Sequence, residues 1–226
     1  MIRTGLLGGS FNPAHRGHRG ISLEAMRRLG LDEVWWLVSP GNPLKSEKGM
    51  APLAARLISA ERAARRTPIR PTAIETQLCT RYTIDTLRVL VRRHPRRRFV
   101  WLMGADNLGQ FHRWRAWRGI ARTVTIAVVT RPGYYGKALK APAMGWLRRF
   151  VRPAAEARHW TKWSLPSLVL LTLPPDPTSA TAIRAADPDW HESVMKSFHP
   201  KAVRDGVTRK PLFGRRPFAR NRTRSA

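Results

Sequence analysis

The sequence has almost no cysteine and no long apolar run. Its 226 residues include one cysteine, Cys79, which excludes an internal disulfide framework and suits a reducing compartment. No apolar run approaches the roughly 20 residues that a membrane-spanning helix needs. The chain also enters a predicted strand within its first residues, which leaves no room for a secretory signal peptide. We therefore expect a cytoplasmic protein with no membrane partner.

Acidic residues are also scarce. Asp and Glu number 14 against 42 Lys and Arg, which gives a formal net charge of +28. A charge of this size favours anionic partners such as nucleotides, RNA, DNA or acidic membrane surfaces. The alternative is that the arginines, which are scattered from Arg3 to Arg224, reflect genome composition and lie on a solvated surface. The length suits one domain with a sizeable core and a tail.

A segment rich in glycine and histidine gives the strongest functional signal. The apolar run 2–7 predicts a first strand, and the sequence GGSFNPAHRGH over residues 8–18 leads from it into a predicted helix. Glycines let a polyphosphate approach the backbone, and a helix N-terminus presents free N–H groups and a positive dipole to an anion. His15 and His18 fall on one side of the first helical turn, where each imidazole can donate a hydrogen bond to a phosphate. Either feature alone is often only a turn or a surface residue, but the combination indicates a phosphate site.

The rest of the chain alternates between strand and helix patterns. Further strands are expected at 33–39, 99–103, 123–130 and 168–173, with a doubtful one at 69–74 that Pro71 interrupts. The spacing between strands is too long for hairpins, which predicts an α/β fold with a doubly wound, Rossmann-like parallel sheet of about five or six strands. Between residues 137 and 162 the pattern favours no single structure.

Polar and aromatic side chains follow several of these strands, at the edge where an open parallel sheet binds ligands. Lys45 can pair with a substrate phosphate or remain a solvated loop lysine. Thr83 opens a helix, either as its cap or as a ligand hydroxyl. Asp106 can cap the next helix or hold a ribose hydroxyl. Trp114 shares a helical face with Trp117, and it can belong to the core or stack on a flat heteroaromatic ring.

A second candidate phosphate site lies near the other end of the chain. Residues 176–184 read DPTSATAIR and lead from a loop into a predicted helix. Ser179 and Thr181 are natural helix caps, which alone can explain them. Hydroxyls together with an arginine, here Arg184, at a helix N-terminus also form a phosphate clamp.

The two motifs carry a resemblance to a known superfamily. Residues 8–18 resemble the GGxFxPxHxGH motif of the nucleotidyltransferases with an H-x-G-H box, and SATAIR resembles their second motif, (I)SxTxxR. Between them, the segments NPLK, YTIDTL, GAD and FHRWRAW are similar to those of bacterial nicotinate-nucleotide adenylyltransferases of NAD biosynthesis. The resemblance runs from Ile2 to about Arg184, with Thr178 where the family usually has isoleucine, and weakens from about Asp187.

The resemblance implies transfer of AMP from ATP to nicotinate mononucleotide, with Mg²⁺ bound mainly through substrate phosphates and no protein ligands for the metal. It implies catalytic roles for His15, His18 and Arg184. The implied ATP-binding residues are Gly8, Gly9, Ser10, Phe11, Ser179, Thr181 and Arg184. The implied nicotinate-nucleotide-binding residues are Lys45, Thr83, Asp106 and Trp114.

Two alternative functions stay open at this point. One is a sister adenylyltransferase that uses nicotinamide mononucleotide or phosphopantetheine. The other is a basic nucleic-acid-binding protein, which would need basic and aromatic residues clustered on one face. The sequence does not decide the oligomeric state.

The C-terminal residues 207–226 are expected to form a tail. They carry seven basic residues and no acidic one, with few apolar anchors to offset the entropy of ordering them. We therefore place the nucleotidyltransferase domain at residues 1–206 and predict a disordered tail that makes non-specific, salt-dependent contact with nucleic acid.

Overall fold

One parallel sheet organises the protein. The computed structural model describes residues 1–41, 49–130, 135–173, 178–196 and 204–211. Within these ranges the strands are β1 Ile2–Gly9, β2 Glu33–Val38, β3 Ile69–Thr72, β4 Arg97–Gly104, β5 Thr125–Thr130, β6 Val151–Arg152 and β7 Leu168–Thr172. Their order across the sheet is β3-β2-β1-β4-β5-β7-β6, and all neighbours run parallel. The predicted α/β doubly wound class is confirmed.

Helices connect the strands. In the described part of the chain they are α1 Arg16–Leu29, α2 Leu53–Ala64, α3 Ile74–Leu78, α4 Thr83–Arg93, α5 Ala105–Gln110, α6 Trp117–Thr123, α7 Tyr135–Leu139, α8 Met144–Leu147, α9 Ala180–Ala186 and α10 Trp190–Lys196. Short 3₁₀ segments span Phe111–Arg113, Arg148–Phe150 and Ala154–Lys162.

The sheet separates two apolar cores. Leu6 and Trp35 belong to one buried cluster, whereas their chain neighbours Leu7 and Trp36 belong to the other. Successive side chains of a strand point to opposite faces of the sheet. Because helices cover both faces here, both sets of side chains are buried and no alternation of polar and apolar residues is required. All of β2 is buried for this reason, and such continuous apolar runs are what made the strands predictable.

The structure has more strands than expected within the described residues. The additional strand, β6, pairs only with β7. It is two residues long, and a strand this short leaves no recognisable pattern in the sequence. The doubtful strand at 69–74 exists as β3, and it tolerates Pro71 because it lies at the edge of the sheet, where a missing N–H removes no ladder bond on the open side. The helix that the pattern predicts over residues 18–29 begins at Arg16, because His15 caps it.

Strand β1 lies at the point where the winding of the sheet reverses. The chain proceeds from β1 through β2 to β3 at one edge and then returns to place β4 on the other side of β1. In open α/β sheets this reversal creates a crevice outside the carboxyl ends of the strands. The residues after β1, β2 and β4 therefore meet at one place, and the first motif begins there.

A turn near the C-terminus is fastened to the body by one carboxylate. Asp205 is completely buried and accepts hydrogen bonds from the Thr72 hydroxyl at 2.8 and 2.9 Å, from the backbone N–H of Ala73 at 3.0 Å, and from those of Val207 and Thr208 at 3.0 and 2.8 Å. Residues 207–211 belong to this turn, and the domain boundary expected after residue 206 stays a prediction. Residues 212–226 lie outside the described part of the chain.

Two truncations should separate the turn from the tail. A chain that ends at Pro211 keeps every bond of Asp205 and should melt with the full-length protein. A chain that ends at residue 203 leaves Thr72 and Ala73 without their acceptor. We expect it to lose about 2–3 kcal/mol of stability, or roughly 5–10 °C in melting temperature. Equal melting temperatures for the two truncations in a thermal scan would show that the turn contributes no stability.

Candidate active site

The two histidines of the first motif close the N-terminus of α1. His15 is the N-cap residue, and its Nδ1 accepts a hydrogen bond from the backbone N–H of Gly17 at 3.1 Å. The backbone N–H of His15 donates to Nδ1 of His18 at 3.3 Å. The ring centroids of the two histidines lie 3.9 Å apart. In both rings Nδ1 is the acceptor of these bonds, which leaves Nε2 as the nitrogen that can donate to a ligand.

His18 is held within an aromatic stack. Its ring centroid lies 4.8 Å from that of Phe11 and 6.0 Å from that of Trp36, and Phe11 stacks on Trp36 at 5.0 Å. Burial, followed by the proximity of His15, lowers the pKa of His18 to about 3. In the free protein at neutral pH, His18 is therefore a directed N–H donor rather than a standing positive charge.

Phe11 adopts a backbone conformation that is unusual for a side chain of its size. Its φ is 48°, in the left-handed region that residues other than glycine rarely occupy. The strain of such a residue persists only where the surroundings hold it in place. Here the Phe11 ring is 1% exposed and lies against both Trp36 and His18, so the stack holds the turn that follows β1.

The glycine pair ends β1 instead of forming a turn after it. A Cβ on Gly8 would lie 2.6 Å from the Trp101 ring, and one on Gly9 would lie 3.2 Å from the Phe11 ring. The glycines therefore let two aromatic rings pack directly on the strand. Gly8, Gly9 and Ser10 also line the pocket beside the motif, so their backbone is open to a ligand.

The second motif lies directly on the first. Ser179 caps α9, and its hydroxyl accepts a hydrogen bond from the backbone N–H of Ala182 at 3.1 Å. The Arg184 guanidinium donates to the carbonyl of Asn12 at 2.5 Å and to the Thr181 hydroxyl at 3.4 Å. A Cβ on Gly17 would lie 3.3 Å from the carbonyl oxygen of Thr178. The two predicted phosphate motifs thus share one surface.

Two residues that hold the loops around the first motif in place were not predicted from the sequence. Arg56 is 2% exposed and donates to the carbonyls of Ser10, Ser39 and Ala51 at 2.8, 2.6 and 2.9 Å. Burial lowers the pKa of Arg56 to about 10, so it stays charged at neutral pH. Asn12 accepts a hydrogen bond from the Ala51 N–H and donates to the Gly49 carbonyl. Arg56 and Asn12 together tie the loops after β1 and β2 to the start of α2.

A pocket of about 360 Å³ adjoins the first motif. Gly8, Gly9 and Ser10 form one side, and the predicted acceptor residues Thr83 and Trp114 line it as well. The Trp114 ring packs edge-on against Phe111 at 5.4 Å and Trp101 at 6.1 Å, so it is half core residue and half pocket wall. Thr83 is the first residue of α4 and is preceded by the cap residue Tyr82, so Thr83 does not cap the helix.

Charged residues that the sequence analysis missed line the same pocket. They are Glu75, Arg81, Arg113 and Arg115. The Glu75 carboxylate accepts a hydrogen bond from the Thr86 hydroxyl at 3.2 Å, and burial raises the pKa of Glu75 to about 7. Arg115 lies over the Tyr82 ring at 4.6 Å. The three arginines make this pocket suited to an anionic ligand.

The other two residues predicted to bind the acceptor are Asp106 and Lys45, and neither is among the described residues that line the pocket. Asp106 is exposed in the first turn of α5, and its neighbour Asn107 lines the pocket instead, because adjacent helical residues point in directions about 100° apart. Lys45 lies outside the described residues. Roles for both in binding the acceptor stay predictions.

Two features are absent from the residues that the structure describes. No group of three or more His, Cys, Asp or Glu side chains in these ranges is arranged to hold a metal ion. Among the same residues, no helix combines the length and apolar character that crossing a membrane requires.

The doubly wound sheet and the paired phosphate motifs at its switch point define a nucleotide-binding α/β protein. The chain belongs to the cytidylyltransferase-like family, whose sequence profile matches residues 6–186. A relative from Erythrobacter litoralis is 63% identical over 95% of this chain and 96% of its own length, and one from Parvibaculum lavamentivorans is 52% identical over 81% of this chain and 91% of its own. Both are named "Probable nicotinate-nucleotide adenylyltransferase".

A solved structure has the same fold. It is the Plasmodium falciparum nicotinic acid mononucleotide adenylyltransferase complexed with NaAD, with a TM-score of 0.62 over 88% of this chain and 92% of that chain. The sequence identity is 16%, so this likeness bears on the fold alone.

Proposed function

We propose that the protein transfers AMP from ATP to nicotinate mononucleotide, which yields nicotinate adenine dinucleotide and pyrophosphate in NAD biosynthesis. The observation that carries the proposal is the junction of the two motifs. Arg184 bonds Asn12 of the first motif, beside a pocket that Ser10, Thr83 and Trp114 line together. The name shared by the relatives supports nicotinate mononucleotide as the acceptor, and the pocket arginines suit an acceptor whose ring carries a carboxylate.

The chemistry needs positioning more than it needs a base. An oxygen of the acceptor phosphate attacks the α-phosphorus of ATP, and the bond from that phosphorus to the bridging oxygen of pyrophosphate breaks. Because the nucleophile is already ionised, no side chain has to remove a proton. Catalysis then consists of aligning two polyanions and stabilising charge in the transition state.

The proposed roles follow the geometry. His15 and His18 donate from Nε2 to the ATP phosphates at the N-terminus of α1, which favours anions. Arg184 grips the β- and γ-phosphates with its planar guanidinium, aided by Ser179 and Thr181. Gly8, Gly9, Ser10 and Phe11 present backbone to ATP. On the acceptor side, Thr83 and Trp114 hold the pyridine nucleotide, with the indole stacked on the nicotinate ring.

Mg²⁺ is part of the proposal as a partner of the substrates. Mg²⁺ keeps several waters and is commonly held by substrate phosphates together with one or two protein groups, rather than by a dedicated protein cage. The donors of the two motifs are N–H groups and hydroxyls, which suit phosphate oxygens better than a metal ion. When bound, the ion would offset the negative charge that pyrophosphate acquires as it leaves.

Turnover with three acceptors tests the proposed function. Purified protein with ATP and Mg²⁺ should form dinucleotide and pyrophosphate with nicotinate mononucleotide, and much more slowly with nicotinamide mononucleotide or phosphopantetheine. Faster turnover with either of the latter would assign the protein to a sister activity. No pyrophosphate release with any of the three acceptors would contradict an adenylyltransferase altogether.

The pH dependence of acceptor binding should depend on Glu75. Below about pH 7 this carboxyl is protonated and neutral in the folded protein, and above it the side chain is an anion in the wall of a pocket for an anionic ligand. We expect the KM for nicotinate mononucleotide to rise above pH 7, and Glu75→Gln to flatten that rise.

The stability of the same variant has a defined sign. Folding raises the pKa of Glu75 from 4.5 to about 7, so the stability that its protonated form contributes is complete below pH 4.5 and is lost as the pH rises through 7. Glu75→Gln should therefore gain melting temperature relative to the wild type at pH 8 more than at pH 5. An identical pH profile for the two proteins would contradict this assignment.

Two further properties are proposed from composition. A cytoplasmic location fits the single, exposed cysteine, which needs no oxidising compartment. Non-specific contact with nucleic acid through the tail predicted at residues 207–226 fits the seven basic residues and the absence of acidic residues in that segment.

A further inference from the structure

A cluster of aromatic and basic side chains lies away from the pocket. Trp117 of α6 packs edge-on against Trp146 of α8 at 5.4 Å, and Trp146 packs against Phe150 at 4.9 Å. All three rings are partly exposed. Trp146 in α8 and Phe150 in the following 3₁₀ segment are four positions apart, so their rings lie on the same face of this continuous helical stretch. We call the set Trp117, Arg118, Arg122, Trp146, Arg149 and Phe150 the tryptophan–arginine patch.

Arginines contact the partly exposed rings of this patch. The Arg118 guanidinium carbon lies 5.0 Å from the centre of Trp117 and 5.8 Å from that of Trp146. Arg122 lies 5.4 Å from Trp146, and Arg149 lies 5.6 Å from Phe150. Cation–π contacts of this kind hold a guanidinium in place without neutralising it. The patch therefore presents positively charged groups that are held in place by aromatic side chains.

The charge of the patch is not compensated nearby. Arg118, Arg122 and Arg149 are all exposed, and none of them forms an ion pair with a carboxylate of the described residues. Glu24 and Glu33, by contrast, each pair with two arginines elsewhere on the protein. A patch that served only to stabilise its own surface would gain from such a carboxylate.

We propose that the tryptophan–arginine patch binds single-stranded nucleic acid. Guanidinium groups contact phosphates, and guanidinium planes and aromatic rings both stack on unpaired bases. The patch supplies all three elements within neighbouring side chains. A duplex hides its bases and a lipid headgroup offers no flat ring, so neither uses the aromatic half of the patch. This is the clustering of basic and aromatic residues on one face that the sequence alone could not reveal.

The patch is a site separate from the nucleotide pocket. None of its residues lines that pocket, although Trp117 contacts Phe111 at 5.7 Å behind the wall that Trp114 forms. Binding at the patch and adenylyl transfer can therefore be altered independently. A measurement of nucleic-acid binding at the patch is therefore informative whether or not the protein proves to be an adenylyltransferase.

The test measures binding of a fluorescein-labelled oligouridylate of 12 nucleotides to the full-length protein by anisotropy across a salt series. Arg118→Gln/Arg122→Gln should weaken binding at least about tenfold near 0.1 M salt and reduce the log–log salt slope by about 1.4, which corresponds to two lost phosphate contacts. Trp146→Leu should weaken binding about fivefold with the slope unchanged, because it removes stacking and no charge.

The matched control is Arg65→Gln/Arg66→Gln, which removes the same charge from exposed positions after α2 and should change affinity less than twofold. Adenylyl transfer and melting temperature of the patch variants should match the wild type, which shows that they are folded. Equal losses for the two double variants would overturn the proposal in favour of general electrostatic attraction. Equal affinity for a 12-base-pair duplex, or equal patch-dependent binding to phosphatidylserine vesicles, would overturn it as well.

Discussion

Replacing His18 by asparagine should lower the turnover number at least about tenfold while the protein stays folded. The asparagine side-chain oxygen can still accept the hydrogen bond that the backbone N–H of His15 donates to Nδ1 of His18, so the helix cap survives. What disappears is the Nε2–H donor, and losing one donor to a transition-state phosphate has an effect of this size or larger. Steady-state turnover with saturating ATP measures it.

The control for this variant is His159→Asn, an exposed histidine in a 3₁₀ segment far along the chain, which should leave turnover unchanged. His18→Ala should be worse than His18→Asn in stability, because it also removes the capping acceptor. A folded His18→Asn protein with wild-type turnover would contradict the catalytic role.

Acid stability provides a second measurement on the same pair of proteins. Folding lowers the pKa of His18 from 6.5 to about 3, so the unfolded chain binds a proton that the folded chain does not throughout that interval. Stability is therefore lost as the pH falls from 6.5 towards 3. His18→Asn should lose less stability than the wild type over this range in denaturant titrations, and parallel curves would argue against a neutral His18 imidazole in the folded protein.

Replacing Arg184 by lysine should raise the KM for ATP and lower kcat/KM by at least about tenfold. The guanidinium reaches the Asn12 carbonyl and the Thr181 hydroxyl at once, and an ammonium cannot reproduce this planar, multiple-donor geometry. The size follows from one lost charge-assisted contact to phosphate. Kinetics at varied ATP and at a fixed, saturating acceptor concentration would measure it.

Two comparisons sharpen the result for Arg184. Arg184→Gln keeps hydrogen-bonding capacity without charge and should be at least as impaired as Arg184→Lys. Thr181→Val removes only the weaker 3.4 Å partner and should have a smaller effect than either. Unchanged ATP dependence in Arg184→Lys would reduce the second motif to a helix cap.

The sequence predicted the elements that local patterns determine. Apolar runs covered on both faces located β1, β2, β4, β5 and β7, and the glycine–histidine segment located the start of α1. It also predicted two phosphate motifs at opposite ends of the chain. Their meeting at one surface depends on the strand order, which places β1 at the switch point.

The missed residues share a physical reason. Arg56 and Glu75 occupy helical positions where a charged side chain ordinarily faces solvent, and only the packed loops decide that Arg56 is buried among carbonyls. Asp205 lies in a stretch that is basic and poor in apolar residues, which gives no local sign that its side chain is buried. Its partner Thr72 lies 133 positions away, beyond the reach of any local pattern.

The contact between Arg184 and Asn12 also sets an order of events during synthesis. It spans 172 positions of the sequence, and a ribosome adds roughly 5–20 residues each second. For many seconds a growing chain therefore contains the glycine–histidine segment while the arginine that closes over it has yet to be made. A polypeptide released before α9 is made lacks Arg184 and so has only half of the proposed triphosphate site, and on the proposed function it should not consume ATP.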